Sequence, residues 1–218
     1  MLDHDISRII GTLKRELDKW ETPIVTLMAE EGRGAFQILI STILSSRTKD
    51  DVTAAASERL FHLASTPEKM LRLSEEKIRK AIYPVGFYKT KARNILRACR
   101  DLLDFYQSRV PDSLDELLKL PGVGRKTANL VVSLGFDGEG LCVDTHVHRI
   151  SNRLGYVKTR TPEETEMELR AKLPRKYWAV YNTIMVAHGQ NICKPLSPFC
   201  SRCPVFKYCD RVGVVRKR

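Results

Sequence analysis

Four of the six cysteines crowd into the last part of the chain: Cys193, Cys200, Cys203 and Cys209, spaced C-x6-C-x2-C-x5-C. A secreted disulfide protein spreads its cysteines through the fold, whereas a cluster of this kind in an intracellular enzyme reads as a metal site. Four thiolates from one short segment can wrap a cubic iron–sulfur cluster or hold one tetrahedral zinc ion. Zinc sites more often use two C-x2-C knuckles, and only one such pair is present here. Pro195, Pro198 and Pro204 stiffen the chain between the ligands, as a loop with little secondary structure requires. Spacing by itself leaves both metals open.

A second group of residues precedes the cysteines. Leu120-Pro121-Gly122-Val123-Gly124 sits between two short helical segments. Gly122 and Gly124 let the chain turn sharply and bring its backbone close to another molecule. The following helix then presents unpaired N–H groups and its positive dipole end, a phosphate site that reads no base. Lys126 falls in the first turn of that helix, beside Arg125. A cation there opposes the helix dipole, and a lysine must shed its proton to act as a nucleophile. Taken alone, Lys126 reads first as a solvated or phosphate-binding lysine. Asp144, in Val143-Asp144-Thr145-His146, stands where a helix begins. An aspartate there is expected to be an N-cap, and the capping N–H groups would also keep its carboxylate ionised and fixed. His146 and His148, two apart on a helix, point to different faces and do not form a metal pair.

The elements that must carry these groups are helical. Ile6, Ile9, Ile10, Leu13, Leu17 and Trp20 fall on one helical face, and Ala92, Ile95, Leu96, Cys99, Leu102, Leu103 and Tyr106 form another stripe, with Cys99 as a core residue. Phe36 to Leu44 is more uniformly apolar, which suits a helix buried on most sides. Thr48 with Asp51 and Ser113 with Glu116 read as capping boxes, and Thr66-Pro67, Ser74-Glu75-Glu76 and Thr161-Pro162 as further helix starts. No segment alternates with period two, so the fold class is all-α, with about ten helices. The 218 residues carry 37 Lys and Arg against 26 Asp and Glu, a net +11 that suggests a polyanionic partner, nucleic acid first. The charge is spread along the chain and does not locate a binding face. No apolar run approaches a membrane span, and no signal segment opens the chain, so the expectation is an intracellular protein without a membrane partner.

Together these residues resemble the helix–hairpin–helix glycosylase superfamily and, more narrowly, the endonuclease III family. Leu120 to Ala128 matches its hairpin, Val143-Asp144-Thr145-His146 its catalytic aspartate segment, and the cysteine spacing its 4Fe–4S loop. Three motifs in the right order, from about Phe36 to Cys209, favour one 4Fe–4S cluster over zinc. The resemblance implies two helical lobes: a six-helix barrel with the helix–hairpin–helix over residues 27–138, and a lobe formed by both termini, 1–26 and 139–218, carrying the cluster loop at 193–209. It implies double-stranded DNA with damaged bases or abasic sites as the partner of a monomeric enzyme, lying across a cleft with Lys126 and Asp144 at its mouth. The lesion nucleotide is turned out of the stack, because C1′ cannot be reached inside it.

Other positions carry over from the same resemblance. Leu44-Ser45-Ser46-Arg47-Thr48 matches a segment that fills the gap left by the flipped base, with Arg47 where many relatives have Gln. Val85-Gly86-Phe87-Tyr88 resembles the wedge loop, with Phe87 replacing a commonly aliphatic residue; ordinary core packing is the other reading of Phe87. Lys194, Arg202 and Lys207 lie among the cysteines and could meet phosphates. Two alternatives stand beside this reading. A monofunctional mismatch glycosylase of the superfamily typically lacks the lysine at position 126. A non-catalytic iron–sulfur DNA-binding protein would need neither Lys126 nor Asp144.

Overall fold

The computed structural model describes residues 5–218. Twelve α-helices run through it: α1 (Asp5–Glu16), α2 (Ile24–Glu30), α3 (Ala35–Ser45), α4 (Asp50–Leu63), α5 (Pro67–Leu71), α6 (Glu75–Ile82), α7 (Tyr88–Tyr106), α8 (Leu114–Leu117), α9 (Arg125–Gly135), α10 (Thr145–Leu154), α11 (Pro162–Lys172) and α12 (Trp178–Asn191). No strand occurs among the described residues, as the lack of period-two patterning requires. None of their helices is long and apolar enough to cross a membrane. The chain divides into two compact units, one spanning Ile24–Gly140, the other joining the N-terminal stretch up to Pro23 with Leu141–Arg218.

In the Ile24–Gly140 unit, α3 is buried from Ile38 to Leu44 without interruption. It can afford no polar face, so its two interior hydroxyls are satisfied locally. Ser41 Oγ donates to Ser57 Oγ at 3.1 Å, and Thr42 Oγ1 to the Ile38 carbonyl at 2.7 Å. Around it pack Leu60 of α4, Ile78 and Ile82 of α6, Ile95 and Leu102 of α7, Leu117 of α8 and Val131 of α9. Cys99 is fully buried in this core. Burial of this apolar surface is the main force holding the unit together.

The caps that start these helices are those the residue types call for. Thr66, Ser74 and Ser113 each accept a hydrogen bond from the backbone N–H three residues on. Thr48 does not follow the capping-box expectation. α4 begins at Asp50 with Lys49 as its N-cap and no side-chain cap, and the Thr48 hydroxyl is engaged elsewhere. A long-range partner outcompeted the local one.

The second unit has its own core. Ile9 and Leu13 of α1 pack with Val147 and Ile150 of α10, Leu169 of α11, and Tyr181, Ile184 and Met185 of α12. The stripe read through Trp20 changes character after Glu16, where the chain tightens into a 3-10 turn over Leu17–Lys19. After α12 the chain carries only short 3-10 turns, Cys200–Arg202 and Phe206–Tyr208. Such a segment buries little apolar surface and needs another tie.

Candidate active site and cysteine loop

The entrance of α9 is built by Leu120–Gly124. Gly122 has φ +83°, and a Cβ there would stand 2.9 Å from Asn94 Nδ2, so both backbone and packing demand glycine. Gly124 is extended (φ −98°, ψ 176°); its constraint is of a different kind, because a Cβ there would meet nothing within 4 Å. As N-cap it offers no side-chain oxygen, and no acidic residue stands in the first turn, which carries Arg125 and Lys126. No side chain of the helix's own N-cap therefore satisfies the N–H groups of this turn. Lys126 is half-buried, with Thr127 and Ala128 beneath it in the core.

The entrance of α10 is the opposite case. Asp144 is its N-cap, and Oδ1 accepts from the His146 and Val147 N–H groups, both at 2.9 Å. The expected cap is present, and it fixes a half-buried carboxylate in one orientation. His148 turns to Thr165 Oγ1 at 2.6 Å, and His146 Nδ1 lies 3.2 Å from an Arg149 guanidinium nitrogen.

Arg47 and Phe87 lie on separate loops of the Ile24–Gly140 unit, and the fold brings them together. Both are exposed and both have left-handed backbones, φ 52° and φ 57°. For non-glycine residues that conformation costs on the order of 1 kcal/mol or more each, and is held only where the surroundings enforce it. The Arg47 guanidinium lies 5.5 Å from the Phe87 ring centroid. Phe87 is 61% exposed, so core packing does not account for it.

Sequence reasoning missed Lys91. It is buried in α7, one turn before Ile95, and its Nζ donates to the Leu44 carbonyl at 2.8 Å, the Ser46 carbonyl at 2.6 Å and Thr48 Oγ1 at 3.3 Å. Burial first, and the charge of Lys126 second, push Lys91 down to about 8. The signal was available: Lys91 lies four residues before Ile95, on the apolar face of α7, a place where a lysine needs buried acceptors.

In the second unit, Cys193, Cys200, Cys203 and Cys209 line one cavity together with Ile150, Leu154 and Val205. Burial, with the negative charge of the neighbouring thiolates adding, pushes the Cys203 thiol up to about 12, and burial raises Cys209 as well. No three metal-binding side chains among the described residues close on a single point as one ion would require. Arg153 was also missed: it donates to Cys193 Sγ at 3.4 Å, to the Lys194 carbonyl at 2.7 Å and to the Pro195 carbonyl, while Arg149 donates to the Cys193 carbonyl at 2.9 Å. Two arginines beside four potential thiolates suit a site of net negative charge. Of the basic residues expected at phosphates, Lys194 turns its ammonium back to the Gln190 carbonyl at the end of α12. Arg202 is exposed, 5.5 Å from the Phe199 ring, and Lys207 lies over Tyr208.

A glycine-built helix entrance followed by a carboxylate-capped helix defines a class: residues 40–175 match the HhH-GPD superfamily of base excision DNA repair proteins. Endonuclease III of Thermotoga maritima is 51% identical over 175 residues, covering 80% of this chain and 82% of that relative. A trapped endonuclease III–DNA covalent intermediate superposes with a TM-score of 0.86 at 34% identity, over 97% of both chains. The chain belongs to the endonuclease III family. A thermostable thymine-DNA glycosylase shares the fold, with a TM-score of 0.80 over 94% of both chains at 24% identity.

Proposed function

We propose that this protein is a bifunctional DNA glycosylase and abasic-site lyase, with Lys126 as nucleophile and Asp144 as the fixed anion of the reaction. Lys126, in the first turn of a helix whose N-cap offers no side chain, is the observation that carries this reading. The family supports it, since a relative of this fold has been captured bound covalently to DNA. Gly122, Gly124 and Arg125 hold a backbone phosphate at that entrance.

The chemistry follows from the two groups. The neutral Lys126 amine attacks C1′ of the everted nucleotide. The bond from C1′ to the base breaks, and the base leaves with the electron pair and takes up a proton. Positive charge develops on the sugar, and the Asp144 carboxylate, held in place by two N–H groups, stabilises it. The new amine nitrogen loses a proton, the ring oxygen leaves C1′ as a hydroxyl, and a Schiff base results. Loss of a proton from C2′ then expels the 3′ phosphate by β-elimination. Oxidised pyrimidines in intracellular duplex DNA are the substrates the family reading favours.

The four cysteines fit a 4Fe–4S cluster, the group that the endonuclease III family carries: they line one cavity in a loop with little other structure. When bound, the cluster supplies a covalent tie that orders residues 193–209, and no step of the reaction runs through it. Arg202, in that loop, is then presented to a phosphate.

Incubating the protein with a duplex containing an abasic site and adding borohydride tests the reading. A covalent protein–DNA adduct is expected; release of a base without any adduct would assign the chain to single-step glycosylases instead.

A further inference from the structure

The mechanism leaves one buried cation unused. Lys91 cannot itself be the attacking amine: its Nζ faces three oxygens, and satisfying all three takes all three ammonium protons. Two of those oxygens, of Leu44 and Ser46, flank the end of α3 just before Arg47. The third, Thr48 Oγ1, follows Arg47 and also accepts from the Gly86 N–H at 3.2 Å. Gly86 in turn is pressed onto the same loop, since a Cβ there would stand 2.6 Å from the Arg47 carbonyl oxygen. The residue after Gly86 is Phe87. One ammonium and one hydroxyl therefore tie together two loops that are about forty residues apart in the chain, each carrying an exposed side chain on a left-handed backbone.

We propose that Lys91 is a positioning residue that, through Thr48, holds Arg47 and Phe87 as one preassembled wedge for entry into duplex DNA. The proposal rests on the reading of Arg47 and Phe87 as groups that enter the duplex. Without the clamp the two loops would have to be ordered at the moment of binding, and the two strained residues would relax. The clamp serves strand parting, so its loss must weigh on duplex substrates more than on single strands, which present no gap to fill. A cation buried merely to stabilise the fold would affect both alike.

The experiment compares Lys91→Gln, Lys91→Arg, Thr48→Val and Arg47→Ala with the unaltered protein. Gap filling is read without chemistry, as the fluorescence change of 2-aminopurine placed opposite an abasic site at saturating protein. Borohydride trapping on duplex and on single-stranded abasic DNA gives a ratio of rates. In Lys91→Gln that ratio is expected to fall about tenfold, with most of the fluorescence change lost. Lys91→Arg, which keeps charge and donors, should recover part of both. Adding Lys91→Gln to a variant that already carries both Arg47→Ala and Phe87→Ala should lower the ratio no further, because Lys91 acts through those two side chains. If Lys91→Gln does not fold, Thr48→Val decides, with a smaller fall in the same two readouts expected. A folded variant with an unchanged ratio and unchanged fluorescence overturns the proposal. An absence of adducts from the unaltered protein would instead sink the lysine chemistry, and the fluorescence readout would still judge the clamp.

Discussion

The first turn of α10 is closed by the chain's own carboxylate, whereas the first turn of α9 is left exposed behind a glycine and carries two basic residues. Every helix entrance presents unpaired N–H groups and a partial positive charge. At α10 that field is spent on orienting Asp144. At α9 no side chain caps the entrance and no acidic residue stands in the first turn, which carries Arg125 and Lys126. The difference is one of occupant: α10 is closed by its own side chain, and under the proposed function a DNA phosphate closes α9.

Each entrance can be broken separately. Lys126→Ala should have the largest effect, lowering strand cleavage by on the order of 10⁴-fold or more and removing the borohydride adduct. Binding of an abasic duplex, followed by fluorescence anisotropy, should change only a few-fold. Asp144→Asn separates capping from charge. Asn is as good a cap as Asp, so thermal unfolding should barely move, while base release should slow by about 10²- to 10³-fold. A large drop in stability with little loss of rate would make Asp144 a cap alone.

Gly124→Asp would give α9 the kind of entrance that α10 has. The position is extended and a Cβ there meets nothing, so the substitution is sterically free. It should stabilise the protein by about a few tenths of a kcal/mol and weaken duplex binding about tenfold, with a shallower dependence of affinity on salt. Stability and affinity moving in the same direction would contradict the account of the open entrance.

The smallest effect is expected away from both entrances. Cys203→Ser should give a colourless protein whose residues 193–218 are cut by trypsin after Arg202 and Lys207 at least about tenfold faster. Resistance to trypsin in iron-free protein would show that the loop holds itself.

Much of this was legible in the sequence because it is local. Asp144, Thr66, Ser74 and Ser113 cap the helices they precede, and the largely apolar run of α3 reads directly as a helix buried on most sides. What escaped depends on residues far apart in the chain. Thr48 looks like a cap until Gly86 and Lys91 are beside it. Lys91 looks like a surface cation until the carbonyls at the end of α3 are counted, and Arg153 gives no hint of its partners forty residues on. Left-handed backbone at Arg47 and Phe87 carries no residue-type signal, since neither is a type that favours it.

The presence of a second lysine whose Nζ is buried, and which senses the charge of Lys126, makes one measurement decisive. The borohydride-trapped complex should be digested and the modified peptide sequenced by mass spectrometry. The account expects the sugar remnant on Lys126 alone, within the peptide that follows the Gly124 turn. A remnant on Lys91, or on any amine other than Lys126, would contradict it.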